Sequence, residues 1–505
     1  MASFFRIHHL LERRAAHAPD AIGLTTEQTG EVSFKHWMDS ATALAQTLRE
    51  AGVQPGHRVM MVAENSFALA AGLMAASLLD AWSVPVNARL SAAEVKRIHH
   101  HARPSATLFT HTASGNAEAH AKPGEAREIE VGPDRAMLTV QPGETREASQ
   151  PDTHQVATLL YTTGTTGDPK GVMLTHGNLL AAGKMSAEHR GIGPEDIVYG
   201  VLPLTHVFGL SSVFMASVSA GARIELVPRF EASATFAALQ SRVSIFPAVP
   251  QMHALLMAHA AGNGLSELHA AKLKYISSGG APLDLAWKNK VEAFFGLPLL
   301  NGYGLTETTA GIAATRPGST RSDTSCGKVL GEQQLRIDAA NEDGIGEIVV
   351  RGPNIMKGYY RNPQETAAIL DSGGWLRTGD LGYIDADGNL YITGRKKELI
   401  IRSGFNVYPL EVEAALNQHE HVVQAAVIGM SRDGNEEIVA FVQPLAGTSV
   451  TVQDLKTHLA DRLAAYKHPT RWIISSDLPA APSGKILKAR LATVFADRLA
   501  SPDGD

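Results

Sequence analysis

The sequence predicts an α/β fold in three parts. A large N-terminal domain over residues 1–394 holds two parallel-type α/β sheets, with a small antiparallel β-barrel at about 325–394, and a small α+β C-terminal domain follows over 395–505. Three observations predict it. Between residue 34 and about residue 228, apolar runs such as RVMMVA (58–63) and IVYGVLPL (197–204) alternate with helical stretches, as parallel strands covered by helices require. Between 327 and 392 the pattern changes to short alternating segments, QLRID, GEIVVRG and LYITG, separated by Gly and Asp, which reads as antiparallel sheet. After Gly394, VQAAVIGM and EIVAFVQP read as strands and TVQDLKTHLADRL as a helix.

Taken in order, the first twenty residues lack a long apolar core behind a basic start and are spaced as an amphipathic helix rather than a signal peptide. The longest apolar run, FALAAGLMAASLL (67–79), is closed by Asp80 and is too short to cross a bilayer, so it reads as a buried helix. The triplet His99, His100 and His101 reads as a solvated helix face, because adjacent helical residues point apart and rarely converge on one ion. Residues 111–154 are poor in large apolar side chains and read as a variable surface region with short strands. SIFPAVP and LKYISSGG continue the α/β plan.

A chain of 505 residues exceeds one core. Its net charge of −6, from 45 basic and 51 acidic residues, gives no field for nucleic acid. A lone cysteine, Cys326, excludes an internal disulfide, fits a reducing cytosol and reads as structural. The polar tail SPDGD carries no lipid or peroxisomal signal.

The most informative run is YTTGTTGDPKG (161–171), which follows the apolar strand VATLL. Glycines let a backbone approach a ligand closely. Threonine hydroxyls and loop N–H groups surround an anion, and Lys170 adds charge. No Gly-Lys-Ser/Thr ends it, so it is not the common P-loop. Read alone, it is open to a second interpretation, a polar surface loop.

Seven further motifs follow it: PLTHVFG (203–209), SSGGAPL (277–283), NGYGLTET (301–308), GWLRTGD (374–380), GRKKELI (394–400), SGFNVYP (403–409) and PSGKILK (482–488). In kind and order the set resembles the adenylate-forming superfamily, which contains acyl-CoA synthetases, peptide-synthetase adenylation domains and luciferases. The resemblance implies an AMP-forming acid–thiol ligase that uses ATP, Mg²⁺ and coenzyme A, with a C-terminal domain that swings about a hinge at Lys397. It assigns the triphosphate to Thr162, Thr163, Gly164, Thr165, Thr166 and Lys170, and adenine to Gly279, Gly280 and Ala281, with Asn301 and Gly304 alongside. Tyr303 stacks on the purine, Thr306 bonds the α-phosphate, and Glu307 binds Mg²⁺. Asp380 takes both ribose hydroxyls and Arg395 reaches the sugar. Lys485 bridges carboxylate and α-phosphate. His206 stands beside the carboxylate as an aromatic gate. After rotation, Ser403, Gly404 and Phe405 line the pantetheine tunnel.

The chemistry needs such groups. Attack of a carboxylate on the α-phosphorus brings two anions together, so the site must supply positive charge and preorganised donors. The acid itself is less legible. Residues 207–214 (VFGLSSVF) contain no acid to hold an amino group, which argues against an amino acid. Malonate-activating relatives carry an arginine where this chain has Gly302. His206, Val207, Phe208, Ser278, Gly302, Gly304 and Thr309 are expected to line an apolar to mildly polar pocket for a fatty, aryl or arylpropenoic acid. Transfer to a carrier protein instead of CoA, or a non-catalytic nucleotide-binding protein, are the alternatives. Glu398 stands where an aspartate is common. PAAPSGK (479–485) resembles sites of lysine acetylation, which makes an acetyltransferase acting on Lys485 a candidate partner. The resemblance also leaves room for a cytoplasmic homodimer.

Overall fold

The computed structural model describes residues 5–121, 125–141, 145–163, 169–280, 283–319, 321–402, 405–432, 435–445, 447–480 and 486–500. Two large mixed sheets dominate. In the first, eight strands, the parallel centre is Val156–Thr163, Trp82–Asn87, Arg58–Ala63 and Ala106–Phe109, flanked by antiparallel strands. In the second, nine strands, six parallel strands run from Leu299–Leu305 through Tyr275–Gly279, Ile245–Ala248, Ile197–Gly200 and Arg223–Leu226 to Ile22–Thr26.

Helix Phe67–Leu78 shows why the apolar run folds as it does. Ser66 caps it by accepting the Leu69 N–H at 3.2 Å, and every residue from Phe67 to Ser77 is buried. Each large apolar side chain so enclosed contributes roughly 1.5–3 kcal/mol. Beside it, Asn65 joins the two sheets. Its amide donates to Gly200 O (2.9 Å) and Leu202 O (3.0 Å), and its carbonyl accepts Leu204 N at 2.9 Å. That clamp fixes the segment entering residues 203–209. The predicted N-terminal helix is present as His8–His17, with Leu10 and Leu11 buried.

The expected small barrel is a four-stranded antiparallel sheet in the order Gln334–Asp338, Gly346–Arg351, Leu376–Ile384, Leu390–Arg395. Its two outer strands do not pair with each other among the described residues, so the ladder is open rather than a closed ring. The C-terminal part is α+β as expected. Val422–Arg432 and Asn435–Pro444 are antiparallel, Arg471–Ile474 adds in parallel, and helix Val452–Ala460 packs on this sheet.

The histidine triplet sits on helix Ala92–Ala102. His100 is exposed, but His101 is half-buried and its Nδ1 lies 2.7 Å from the Tyr161 hydroxyl. The solvated-face reading is therefore corrected for His101: one helical step turns it onto the strand that leads into the glycine-rich run. No helix of the described residues is long and apolar enough to cross a membrane.

Candidate active site

Strands Val156–Thr163 and Pro169–Thr175 pair antiparallel, with Thr162 opposite Lys170 and Thr163 opposite Pro169. Both ends of the glycine-rich run are thereby held together. Gly164, Thr165 and Thr166, and the side chain of Thr163, lie outside the described residues. Lys170 forms an ion pair with Glu365, and its ammonium stands 5.5 Å from the centre of the Tyr359 ring. The Tyr359 hydroxyl donates to Glu307 Oε1 at 2.7 Å. Burial, and then the Glu307 charge, push that phenol above its ordinary range. Tyr359 reaches this position because strand Gly358–Tyr359 adds to Pro169–Thr175, with Tyr359 opposite Val172. Sequence reading missed Tyr359. Its signal was the short apolar GYY after a Gly-Pro-Asn turn, too brief to assign to a sheet.

Glu307 belongs to a short 3₁₀ turn, Thr306–Thr308, that follows strand Leu299–Leu305. Four residues before Glu307, Tyr303 donates its hydroxyl to Asp380 Oδ2 at 2.6 Å. Burial and the Asp380 charge hold the Tyr303 phenol well above its usual value. Asp380 faces Arg395 across the antiparallel ladder, and Arg395 Nε stands 3.1 Å from Asp380 Oδ1. Asp380 is 5% exposed and held from two sides. Lys397, two residues on, is exposed. Desolvation first, and then Arg395, lower its amine, and Lys170 and Asp380 also lie within electrostatic reach.

The turn itself is strained. Thr309 and Ala310 adopt φ of +49° and +88°, a region non-glycine residues rarely enter. A Cβ on Gly304 would fall 1.7 Å from Ala310 O, so only glycine fits opposite the turn. Asn354 holds it closed: its Nδ2 donates to Thr308 O at 2.7 Å, and its own carbonyl accepts the Thr309 hydroxyl at 2.6 Å. Asn354 was also missed. Thr306 is buried beneath the turn. Two expectations are corrected here. Thr309, expected in the acyl pocket, is fully buried with its hydroxyl engaged. Asn301, expected beside the nucleotide, is buried and donates to Thr324 O (3.0 Å) and Ser325 O (3.2 Å), while its carbonyl accepts Gly302 N at 3.0 Å. Both side chains shape the backbone instead of facing outward.

On the acyl side, His206 is exposed and its Nδ1 accepts Phe208 N at 3.3 Å. It precedes a π-helical stretch, Phe208–Met215, a form common at functional sites. A Cβ on Gly209 would meet Pro203 O at 2.2 Å, so this entry into the stretch requires glycine. Val207 is buried and Phe208 half-buried. A Cβ on Gly279 would lie 3.0 Å from the Phe208 ring, which joins the histidine motif to the expected adenine wall. Gly280 follows at φ +77°, and Ala281 lies outside the described residues. Ser278 is buried, with no partner for its hydroxyl among the described residues. At Gly302 a Cβ would meet its nearest atom, Ala313 O, at 3.5 Å, ordinary contact that leaves room for a side chain.

In the C-terminal part, Phe405 is exposed and stacks on Tyr466 with ring centres 4.7 Å apart. Ser403, Gly404 and Lys485 lie outside the described residues. Cys326 is buried, and its thiol is pushed up to about 12 by that burial, as befits a structural cysteine. No group of three His, Cys, Asp or Glu among the described residues is arranged to hold a metal. Mg²⁺ is commonly held by one or two carboxylates plus substrate phosphates, so a single Glu307 beside the end expected to take the phosphates fits such an ion.

Comparison with known proteins gives consistent results. The AMP-binding enzyme family matches residues 11–360, and the AMP-binding enzyme C-terminal domain matches residues 411–485. A 4-coumarate-CoA ligase 1 from Narcissus pseudonarcissus is 33% identical over 472 residues, covering 88% of this chain and 85% of the relative. ATP-bound MatB from Rhodopseudomonas palustris superposes with a TM-score of 0.84 at 26% identity, covering 97% of this chain and 99% of that one. The o-succinylbenzoate CoA synthetase MenE from Bacillus subtilis, in complex with the acyl-adenylate intermediate OSB-AMP, gives 0.82 at 29% identity over 95% and 97%.

Proposed function

Because the chain belongs to the AMP-binding enzyme family, we propose that it is an ATP-dependent, AMP-forming acyl-CoA synthetase. The observation that carries this reading is one strand and turn. Between Tyr303 and Glu307 it joins a sugar end, Tyr303–Asp380–Arg395, to a phosphate end, Glu307–Tyr359–Lys170. That spacing suits a nucleotide laid along the strand. Asp380, fixed by Tyr303 and Arg395, accepts ribose hydroxyls. Lys170 and the loop of residues 162–166 take the β- and γ-phosphates. Mg²⁺ at Glu307 would neutralise phosphate charge.

In the first half-reaction a carboxylate oxygen bonds the α-phosphorus and pyrophosphate leaves. Lys485 supplies the cation between the two anions, with Thr306 at the α-phosphate and His206 beside the acid. In the second, the thiolate sulfur of CoA bonds the acyl carbon and AMP leaves. We place domains at 1–394 and 395–505 with the hinge at Lys397, so that rotation exchanges Lys485 for Ser403, Gly404 and Phe405. The two family matches, which end at 360 and resume at 411, flank that boundary.

The acid is a fatty acid or an aryl or arylpropenoic acid. Val207, Phe208 and Gly302 offer apolar lining and free volume, and no cation for a second carboxylate stands at residue 302. Cytoplasmic location, a homodimer and control by acetylation of Lys485 complete the proposal. Acetylation removes the ammonium and would silence the first half-reaction alone.

The test is pyrophosphate release from ATP across a panel of carboxylic acids, with thioester formed on CoA compared with a phosphopantetheinylated carrier protein. We expect release with one of these acid classes and thioester on CoA. Acyl transfer only to the carrier would move the activity to the alternative acceptor. Silence across the panel would overturn the enzyme reading.

A further inference from the structure

The hinge and the loop that carries Lys485 are far apart in sequence, yet one side chain ties them together. Lys488 opens helix Lys488–Val494, three residues after Lys485. Its Nζ stands 3.2 Å from Glu398 Oε2 and 2.7 Å from Glu413 Oε1. Glu398 ends the 3₁₀ turn Lys396–Glu398, immediately after the hinge lysine Lys397. Glu413 is buried in helix Pro409–Asn417 and its Oε1 also accepts Val427 N at 2.6 Å. Burial raises the Glu413 carboxyl, and Lys488 is the first charge that opposes the rise.

The described residues on either side of 481–485 are joined as well. Ala480 and Ile486 form an antiparallel bridge, and Leu487 N donates to Pro479 O at 2.8 Å. Lys488 sits just beyond this junction and engages one acid on the hinge turn and one in the core. Lysine suits this arrangement, since its compact ammonium has three donors to divide between two carboxylates.

We infer that Lys488 is a positioning residue for adenylate formation. It couples the Lys485 loop to the hinge turn through Glu398 and Glu413, so that rotation about Lys397 delivers Lys485 at a fixed reach. The inference rests on the adenylating role proposed for Lys485. Misplacing a reacting group by about 1 Å costs on the order of 100-fold. The thioester half-reaction does not use Lys485 and should be indifferent to the loss of the Lys488 contacts.

The experiment measures both half-reactions in the full-length enzyme: acyl-AMP formation from free acid, and thioester formation from preformed acyl-AMP and CoA. In Lys488→Met and Glu398→Gln, adenylation kcat should fall about 10- to 100-fold with KM for ATP nearly unchanged, while the thioester step stays within about twofold of wild type. Lys488→Arg should restore part of the loss, and the double variant Lys488→Met/Glu398→Gln should be no worse than Lys488→Met alone. Equal loss in both half-reactions, or no loss in either, would overturn the inference. If Lys488→Met proves unfolded by circular dichroism, Glu398→Gln decides alone by the same split. A wild-type enzyme that forms no acyl-AMP from any acid would instead defeat the functional reading on which the inference rests.

Discussion

Around the end of the site proposed for the nucleotide, charged and hydroxylated side chains from separate stretches meet in pairs. Tyr303 and Arg395 grip Asp380, Tyr359 grips Glu307, and Lys170 pairs with Glu365. The end proposed for the acyl group is made of different material. Phe208 against Gly279, the open position at Gly302, buried Val207 and a Ser278 hydroxyl with no partner among the described residues contribute shape and hardly any charge. The contrast follows from what each end must recognise. A triphosphate and a ribose present fixed charges and hydroxyls, which need particular atoms at particular distances. An acyl chain presents surface, which many combinations of apolar residues accommodate.

The sharpest way to break the comparison is at Lys485, the cation proposed to serve both ends. Lys485→Ala should lower acyl-AMP formation by about 10²- to 10³-fold, the scale for losing one transition-state contact. Thioester formation from preformed acyl-AMP should persist. Equal adenylation rates in variant and wild type would show that the two anions meet without this charge. Next in size is the sugar end. Asp380→Ala should lower kcat/KM for ATP by about 10- to 100-fold, since charge-assisted hydrogen bonds are worth ~1.5–3 kcal/mol. Tyr303→Phe, which removes one donor to Asp380 and keeps the ring, should cost about fivefold, near 1 kcal/mol. If Tyr303→Phe matched Asp380→Ala, the hydroxyl and not the ring would carry the tyrosine's contribution.

The same contrast explains what the sequence disclosed. Asp380, Arg395, Tyr303 and Glu307 were legible as candidates because each stands in a stretch of glycines and threonines with a set spacing, and the structure brings Tyr303, Asp380 and Arg395 together. The α/β plan was legible from runs such as 58–63 and 67–79, where burial on every side leaves an unbroken apolar signature. Tyr359 and Asn354 were not. Each acts across a long gap in sequence, through a two-residue strand in one case and a single side-chain amide in the other. Nothing local distinguishes such a tyrosine or asparagine from a surface residue. Asn301 and Thr309 were misread for the opposite reason. Asn301 opens the 301–308 stretch and Thr309 follows it, but Thr309 bonds Asn354 O at the strained turn and Asn301 holds the backbone at Thr324 and Ser325.

Gly302 sharpens the comparison from the acyl side. The room for a Cβ there, 3.5 Å from the nearest atom, means a side chain can be introduced without displacing backbone. Gly302→Arg should lower kcat/KM for the best monocarboxylic acid by about tenfold, since one misplaced group in such a pocket is worth ~1–3 kcal/mol. The variant should gain measurable pyrophosphate release with a short dicarboxylic acid. A folded variant with an unchanged acid preference would place the acyl group away from residue 302.

The smallest expected effect lies beneath the acyl side and appears only with pH. His253 is completely buried, its Nε2 lies 3.2 Å from Ser277 O, and its ring meets Phe246 and Phe295 edge-on. Burial lowers it from 6.5 to about 4. Between those values the unfolded chain binds a proton that the folded protein refuses. Its contribution to stability is therefore complete above pH 6.5 and is lost as pH falls toward 4. His8 is lowered to about 4 as well, by burial first and by His9 second, and adds to the same slope. His253→Gln keeps a polar group within reach of Ser277 O and removes the titration. Its melting temperature should fall less steeply than wild type between pH 6.5 and 4.5, with the remaining slope partly due to His8. Parallel curves for the two proteins would mean that water or a rearranged partner lets the His253 ring charge inside the fold, and that the packing around Phe246 and Phe295 is looser than its ring contacts imply.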